Sequence, residues 1–408
     1  MRRINGRCAV WMGVLSLAFG TATALRAQSA AQSDKRSQSG SYSLLYSFQC
    51  IPDGNNPAAP LVRDSAGNLY GITRYGGNPV GGVGMGTVFK VSPVGTETVL
   101  HTFAGPPSDG EYPVASLILD AAGNLYGTTP DGGEFGGGTV FEVTATGTES
   151  ILYNFCARSH CRDGYFPSAG MARDHTGNLY GTASLNGEYG GGVIFKLSPD
   201  GTYTVLHSFN YSSTDGSYPE SNVTMDSSGN LYSTTTYGGT SYHGTVFKVT
   251  ASGTESLLYS FKGWPVDGAA PGAMGLLRDT SGNFYGVTAE GGENDLGVLF
   301  KLTPGATESV NLNFTGLGGG YPGGVLVRDE AGNLYGVAGG GPVKGDRWGV
   351  LYKLAPDGRE TVLHDFTLTS SSDGGGPAGL TEDSSGDLYG ALYYGGAYGC
   401  GAVFKYTP

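Results

Sequence analysis

Between residues 41 and 408 the apolar side chains come in short runs of Val, Ile, Leu, Thr, Tyr and Phe, each bounded by Gly, Asp, Pro or Ser. That is the pattern of short β-strands joined by tight turns. Residues 115–120 (ASLILD), 124–129 (NLYGTT), 138–144 (GTVFEVT) and 148–155 (TESILYNF) form one set of four such runs. No stretch beyond the N-terminal segment sustains a 3.6-residue apolar period, so essentially no helix is expected.

The set repeats. GNLYG at 67–71 returns at 123, 177 and 332, as GNLYS at 229, GNFYG at 282 and GDLYG at 386, with starts 56, 54, 52, 53, 50 and 54 residues apart. A period of this size with several strands per unit marks a propeller or a solenoid. With the strands lettered a to d, the a–b connection is D-x-x-G in all seven copies, from Asp64/Gly67 to Asp383/Gly386. The Asp accepts backbone hydrogen bonds and the Gly takes a positive φ, so these carboxylates read as turn chemistry. The Tyr that recurs in the b strands reads as packing.

Only six c–d turns are present: after the last c-like run (AVFKYT, 402–407) the chain stops, whereas a d-like run, SYSLLYSF (41–48), precedes the first repeat. Pairing the first run with the last c strand closes a ring and removes the exposed edges of an open stack, which would instead need polar capping repeats. The expected fold is therefore all-β: a seven-bladed β-propeller with four antiparallel strands per blade, the last blade closed by the N-terminal strand.

Residues 1–27 read as a secretory signal, with Arg2, Arg3 and Arg7 before an apolar stretch and small residues at Ala22, Ala24 and Ala27. Residues 28–40 are a small, polar lead-in of disordered composition. Residues 41–408 form one propeller domain, of which 41–48 complete the last blade. Once Cys8 leaves with the signal, four cysteines remain, which favours disulfides in an exported chain. Cys50 follows the first d-like strand and Cys400 precedes the last c strand, so antiparallel pairing predicts Cys50–Cys400, leaving Cys156–Cys161 to close CARSHC.

In a four-stranded up-and-down blade the a–b and c–d turns share one face, and the variable b–c loops and d–a crossovers share the other. Binding chemistry belongs with the variable loops. Their aromatics Tyr75, Phe135, Tyr189, Tyr237, Tyr242, Tyr398 and Trp348, with Trp264 on a crossover, are the candidate ligand-binding residues, because aromatic faces stack on sugar rings or peptide side chains. Trp264 and Trp348, in polar loop contexts, lead the set. The crossover motif D-G-x-x-P (Asp53, Asp109, Asp163, Asp215, Asp267, Asp373; GGGYP at 318–322 in the odd copy) reads as turn-fixing.

No catalytic residue is assigned; His243, Glu188 and Glu134 are the candidates to weigh as acid or base. His101, His207 and His364 stand where other d strands carry Tyr153 or Tyr259 and read as substitution within the pattern. No metal is assigned either, Glu290, Glu293 and Asp295 in EGGENDLG being the densest oxygen cluster. No hydrolase elbow, zincin motif, phosphate loop or dinucleotide fingerprint occurs, and no cofactor is expected. The net charge of −12 argues against nucleic acid and anionic membranes as partners.

The LYGTT, GTVFKVT and GTET-LYSF blocks, repeated in order over 41–408, resemble the GloVer tandem-repeat family, often labelled choice-of-anchor. The resemblance implies an exported bacterial protein and supplies no activity or catalytic residues; no C-terminal sorting tail follows the repeats. The leading expectation is a monomeric, secreted or periplasmic, non-catalytic propeller that binds an extracellular glycan or protein and does not insert in a membrane. The alternatives are a polysaccharide lyase or hydrolase, by analogy of fold alone, and a structural spacer.

Overall fold

Each repeat starts on a turn whose hydrogen bonds explain its residues. In the first, the Gly67 amide donates to the Asp64 carbonyl (3.1 Å), at a φ of +87° that suits Gly. The Asp64 carboxylate accepts from the Asn68 amide (2.8 Å), the Asn68 side chain (2.7 Å) and the Tyr70 hydroxyl (3.0 Å). The other D-x-x-G turns repeat the arrangement. Burial opposes ionisation of these seven carboxyls, but the hydrogen bonds outweigh it and hold them below the ordinary Asp range. Lys90, Lys248, Lys301, Lys353 and Lys405 on the c strands lie over the neighbouring Tyr rings at 5.5–5.8 Å. These aspartates and tyrosines are therefore structural.

The computed structural model describes residues 40–77, 82–272, 275–316, 318–340 and 347–408. Described residues belong to the unit Ser37–Pro408; the signal-like segment and all but the last residue of the lead-in lie outside them. No described helix is long and apolar enough to cross a membrane, and among the described residues the one helical element is a 3-10 turn at Ser159–Cys161.

Seven antiparallel sheets form the seven blades, each in the order a, b, c, d; six are four-stranded, and in blade 1 two short segments, Asn55–Pro57 and Val62–Arg63, both pair with strand b, Leu69–Tyr75. Blade 3, for example, runs Ala172–Arg173, Leu179–Ala183, Val193–Leu197 and Tyr203–Ser208. In blade 7, strand d is Ser41–Ser47, which pairs antiparallel with Ala402–Thr407 from Ser41↔Thr407 to Ser47↔Ala402. The ring closes as expected.

The core lies between blades. The Phe that ends each d strand packs on the c-strand aromatic of the next blade, from Phe48 on Phe89 (4.9 Å between centroids) and Phe103 on Phe141 (5.2 Å) to Phe314 on Tyr352 (5.3 Å) and Phe366 on Phe404 (5.2 Å). These rings are almost fully buried. The second Gly of GNLYG lies beneath this aromatic: a Cβ at Gly71 would meet the Phe89 ring at 2.6 Å. The motif is thus half turn and half packing.

Both expected disulfides are formed, Cys50–Cys400 (Cα–Cα 5.3 Å) and Cys156–Cys161 (Cα–Cα 4.0 Å). The first spans 350 residues and the second only 5, so the loop-entropy model makes the first the stronger restraint, at about 5–6 against about 2 kcal/mol. Replacing Cys50 and Cys400 by Ser should lower the denaturation midpoint clearly more than replacing Cys156 and Cys161. Equal losses in parallel urea titrations would contradict that account.

Candidate functional site

The crossovers build the loop face from positions that the turn reading passes over. In D-G-x-x-P the residue before Pro has a positive φ in every blade: Asn56 (60°), Tyr112 (56°), Phe166 (63°), Tyr218 (55°), Ala270 (50°), Tyr321 (52°) and Gly376 (64°). A side chain resists this conformation, and a following Pro ordinarily favours extended backbone. The amide compensates by donating to the b–c loop of the preceding blade, as Tyr112 to the Met85 carbonyl (2.8 Å), Tyr218 to Gly191 (2.9 Å) and Tyr321 to Leu296 (2.9 Å). The strained residue ties neighbouring blades together and presents a ring at the seam in four of the seven.

Tyr112 and Tyr218 meet further aromatics of the loop face, and Trp348, near the start of a c strand, forms a separate group with Tyr393 and Tyr394 at the end of a b strand. Tyr75 lies edge-on to Tyr112 (5.4 Å), Tyr218 touches both Tyr211 and Tyr237 (5.6 Å each), and Trp348 and Tyr393 flank Tyr394 (5.8 and 4.7 Å). Tyr321, Trp348 and Tyr394 are exposed. The charged group among them is Arg74, whose guanidinium lies 5.3 Å from the Tyr75 ring centre and acts electrostatically on Tyr112, Asp131 and Tyr393. Asp131 pairs with Glu111 across a short ladder between crossover and b–c loop. Burial raises both carboxyls; Asp131 raises Glu111 further, and Arg74 opposes the rise of Asp131.

One side chain also bridges three blades. Asn222, four residues before its D-x-x-G Asp, reaches from blade 4 to accept from the Gly170 amide of blade 3 (2.7 Å) and donate to the Ser116 hydroxyl of blade 2 (3.0 Å).

The candidate aromatics divide in two. Tyr75 and Trp348 belong to the cluster just described. Phe135, Tyr189, Tyr242 and Tyr398 are exposed on b–c tips; those tips lie over the outer, d-strand edge, since Gly137 abuts Phe155 and Gly191 abuts Phe209. Tyr237 is exposed beside Tyr218, and Trp264 is 63% exposed next to Gly263, against which the His243 ring packs. Glu188 pairs with Arg162 (3.3 Å) in an open groove on blade 3, Glu134 is exposed with its amide held by Asn154, and His243 sits on blade 4. No described contact joins the three. Glu290 and Glu293 are exposed, while Asp295 accepts the Gly291 amide (2.9 Å) within its own loop.

Sequence reasoning passed over Tyr112, Phe166, Tyr218, Tyr321 and Tyr394. An aromatic before the Pro in DGEYP, DGYFP, DGSYP and GGGYP was the available signal. The crossover aspartates do fix their turns, accepting backbone amides of the crossover such as Gln49 to Asp53, Ala104 to Asp109 and Lys262 to Asp267, and they also bind a side chain of the d strand before them. Asp53, Asp109, Asp163, Asp215, Asp267 and Asp373 are all buried, and each contacts the d-strand Tyr or His: Tyr46, His101 (3.0 Å), Tyr153 (2.8 Å), His207 (3.2 Å), Tyr259 and His364 (3.3 Å) respectively. Tyr and His alternate there because both place a polar atom at that reach.

At the same seams the next blade contributes the second residue of its own TE-type d run: Glu97, Glu149, Glu255, Glu308 and Glu360, or Tyr203 and Tyr42. Burial pushes Glu97, Glu149, Glu255 and Glu360 up to about 7, and Glu308 up as well; the neighbouring Asp adds to this in all but Glu360, beside which Gly318 replaces the Asp.

The profile of the Gloeobacter/Verrucomicrobia repeat matches residues 33–172, 84–276 and 272–408. A search of curated proteins finds no match. Among solved structures, a streptogramin B lyase is similar with a TM-score of 0.60 at 15% identity, over 90% of this chain and 97% of that one. Virginiamycin B lyase from Staphylococcus aureus gives 0.58 at 14% over 90% and 99%. PorZ, a surface component of the type-IX secretion system of Porphyromonas gingivalis, gives 0.54 at 20% over 87% and 47%. At such identities the likeness establishes the propeller fold alone. With its repeats matched from residue 33 to residue 408, the chain belongs to the Gloeobacter/Verrucomicrobia repeat family.

Proposed function

We propose that this chain is an exported, non-catalytic binding propeller whose loop face takes up an extracellular glycan. The observation that carries the reading is the set of accessible rings there, with Trp348, Tyr394 and Tyr321 exposed and Tyr75 and Tyr112 beside Arg74. Rings at the edge of a polar surface offer sugar faces large contact area at small entropic cost, while Arg74, Glu111 and Asp131 supply hydrogen bonds to hydroxyls. Two disulfides suit an oxidising compartment. The enzyme reading has no comparable support, since its candidates His243, Glu188 and Glu134 stand on separate loops.

The test is a glycan array with the purified protein, the same wells being assayed for released reducing or unsaturated ends. Binding without release is expected, weakened about tenfold or more by Trp348→Ala or Tyr394→Ala, as for loss of one stacking contact. Trp264→Ala, on a separate loop, should change it little. Release would overturn the reading in favour of an enzyme; silence in both channels would overturn it in favour of a protein partner or a spacer.

A further inference from the structure

We propose that two blade seams, His101–Asp109–Glu149 and His207–Asp215–Glu255, are binding sites for a borderline divalent cation such as Zn²⁺. In each, an imidazole nitrogen and two carboxylate oxygens lie within 4.8 Å of one another. The His comes from strand d of one blade, the Asp from the following crossover and the Glu from strand d of the next blade. A bound ion would therefore link blade 1 to blade 2 and blade 3 to blade 4 at the outer edge of the ring.

The other seams are built-in controls. Where Tyr46 or Tyr259 takes the place of His, the phenol donates to the Asp, and at Tyr259 it also approaches Glu308 (3.4 Å). A neutral phenol satisfies this geometry by hydrogen bonding. At His364 the Glu is replaced by Tyr42, which stacks on the imidazole at 3.8 Å and donates to Asp373 (3.0 Å). Among the described residues, His and Glu coincide only at the two proposed sites.

The donors are held for the purpose. His101 and His207 are fixed edge-on to Phe103 and Phe209 (4.8 Å each). Asp109 is oriented by the Ala104 and Gly110 amides (2.9 and 2.6 Å) and Asp215 by the Gly216 amide (2.8 Å), which serves as an outer shell of hydrogen bonds. Glu149 and Glu255 each leave Oε1 buried without a partner. Ligands at about 2.0–2.1 Å around tetrahedral Zn²⁺ lie about 3.3 Å apart. The His–Asp separations of 3.0 and 3.2 Å already meet this, so the Glu carboxylate alone has to close in, with water as a fourth ligand. On binding, the imidazole passes through proton exchange with water to its Nδ1–H tautomer, so Nε2 gives up its hydrogen bond to the Asp and offers its lone pair to the metal.

The experiment is equilibrium dialysis of EDTA-stripped protein against Zn²⁺, with Co²⁺ absorption as a second readout. The expected result is two Zn²⁺ more per chain for the wild type than for His101→Tyr/His207→Tyr, and a visible Co²⁺ band for the wild type alone. The Tyr variant should fold, since Tyr fills the position in three other seams. If it does not, Glu149→Gln/Glu255→Gln, which keeps the shape and removes two ligands, should show the same loss of two. Equal Zn²⁺ content in the wild type and whichever variant folds, including binding to exposed His160, His175 or His243 only, would overturn the proposal.

Discussion

A chain that begins at Gln49 should lose its cooperative melt and elute as an expanded or aggregated species. Strand Ser41–Ser47 is the outer strand of blade 7, held there by its ladder to Ala402–Thr407. Phe48, fully buried, carries the aromatic contact from blade 7 to Phe89 of blade 1. Tyr42 stacks on His364 and Tyr46 binds Asp53, so the segment also completes two seams. Phe48→Ala alone should cost about 3–5 kcal/mol. Removing the ladder, Tyr42, Leu44 and Tyr46 as well exceeds the roughly 5–15 kcal/mol that holds a typical domain together. The exposed c strand would then be a free edge open to association. Circular dichroism and size exclusion against the full-length protein provide the check. A truncated chain that melts within a few degrees of the full-length one would show that the ring does not depend on closure.

Stability in EDTA should be greatest at mildly acid pH and fall as pH rises from about 4.5 through about 7. Glu97, Glu149, Glu255 and Glu360 are pushed by burial from 4.5 to about 7 in the folded chain, and Glu308 is raised as well. Over that interval the folded chain holds protons that the unfolded chain has released, so unfolding becomes more favourable as pH increases. The stabilisation is complete below the unfolded value and is lost as pH passes the folded one. After discounting for solvent screening it amounts to on the order of 1 kcal/mol per Glu. The D-x-x-G aspartates act in the opposite sense: with folded values depressed below 3.8, their contribution is present above that pH and disappears in stronger acid. Together they predict a maximum near pH 4–5.5. Thermal melts across pH 3–9 test this, with Glu360→Gln, in a seam that lacks both Asp and His, reducing the alkaline-side slope. A melting temperature that is flat or rises from pH 5 to 8 would refute the assignment.

The loop face shows how far reading the chain alone could go. The aromatics of DGEYP, DGYFP, DGSYP and GGGYP are plain in the sequence, yet a residue before Pro is expected in extended backbone. Their left-handed φ exists because each amide bonds to a loop of the preceding blade. Trp348 was recognisable from its polar context and Tyr75 as a variable-loop aromatic, whereas Tyr394 and Arg74 acquire their meaning from neighbours on other strands. His101 and His207 likewise read as substitutions for Tyr, and it takes the next blade's Glu149 and Glu255 to make them anything more.

The sequence by itself determined the number of blades, the composite closure by residues 41–48, both cysteine pairings and the turn role of each D-x-x-G Asp. Those features rest on short-range backbone chemistry or on one strand pairing, and a period near 53 residues displays each of them several times. Tertiary structure alone decided which side chains meet across the seams: His with Asp and Glu, Asn222 with Ser116 and Gly170, Trp348 with Tyr394. Apart from each His and its Asp, which lie 8 positions apart, such contacts join residues some 50 or more positions apart, and they depend on how each sheet twists and how the wedge-shaped blades pack around the axis. No local pattern of apolar and polar positions encodes that geometry.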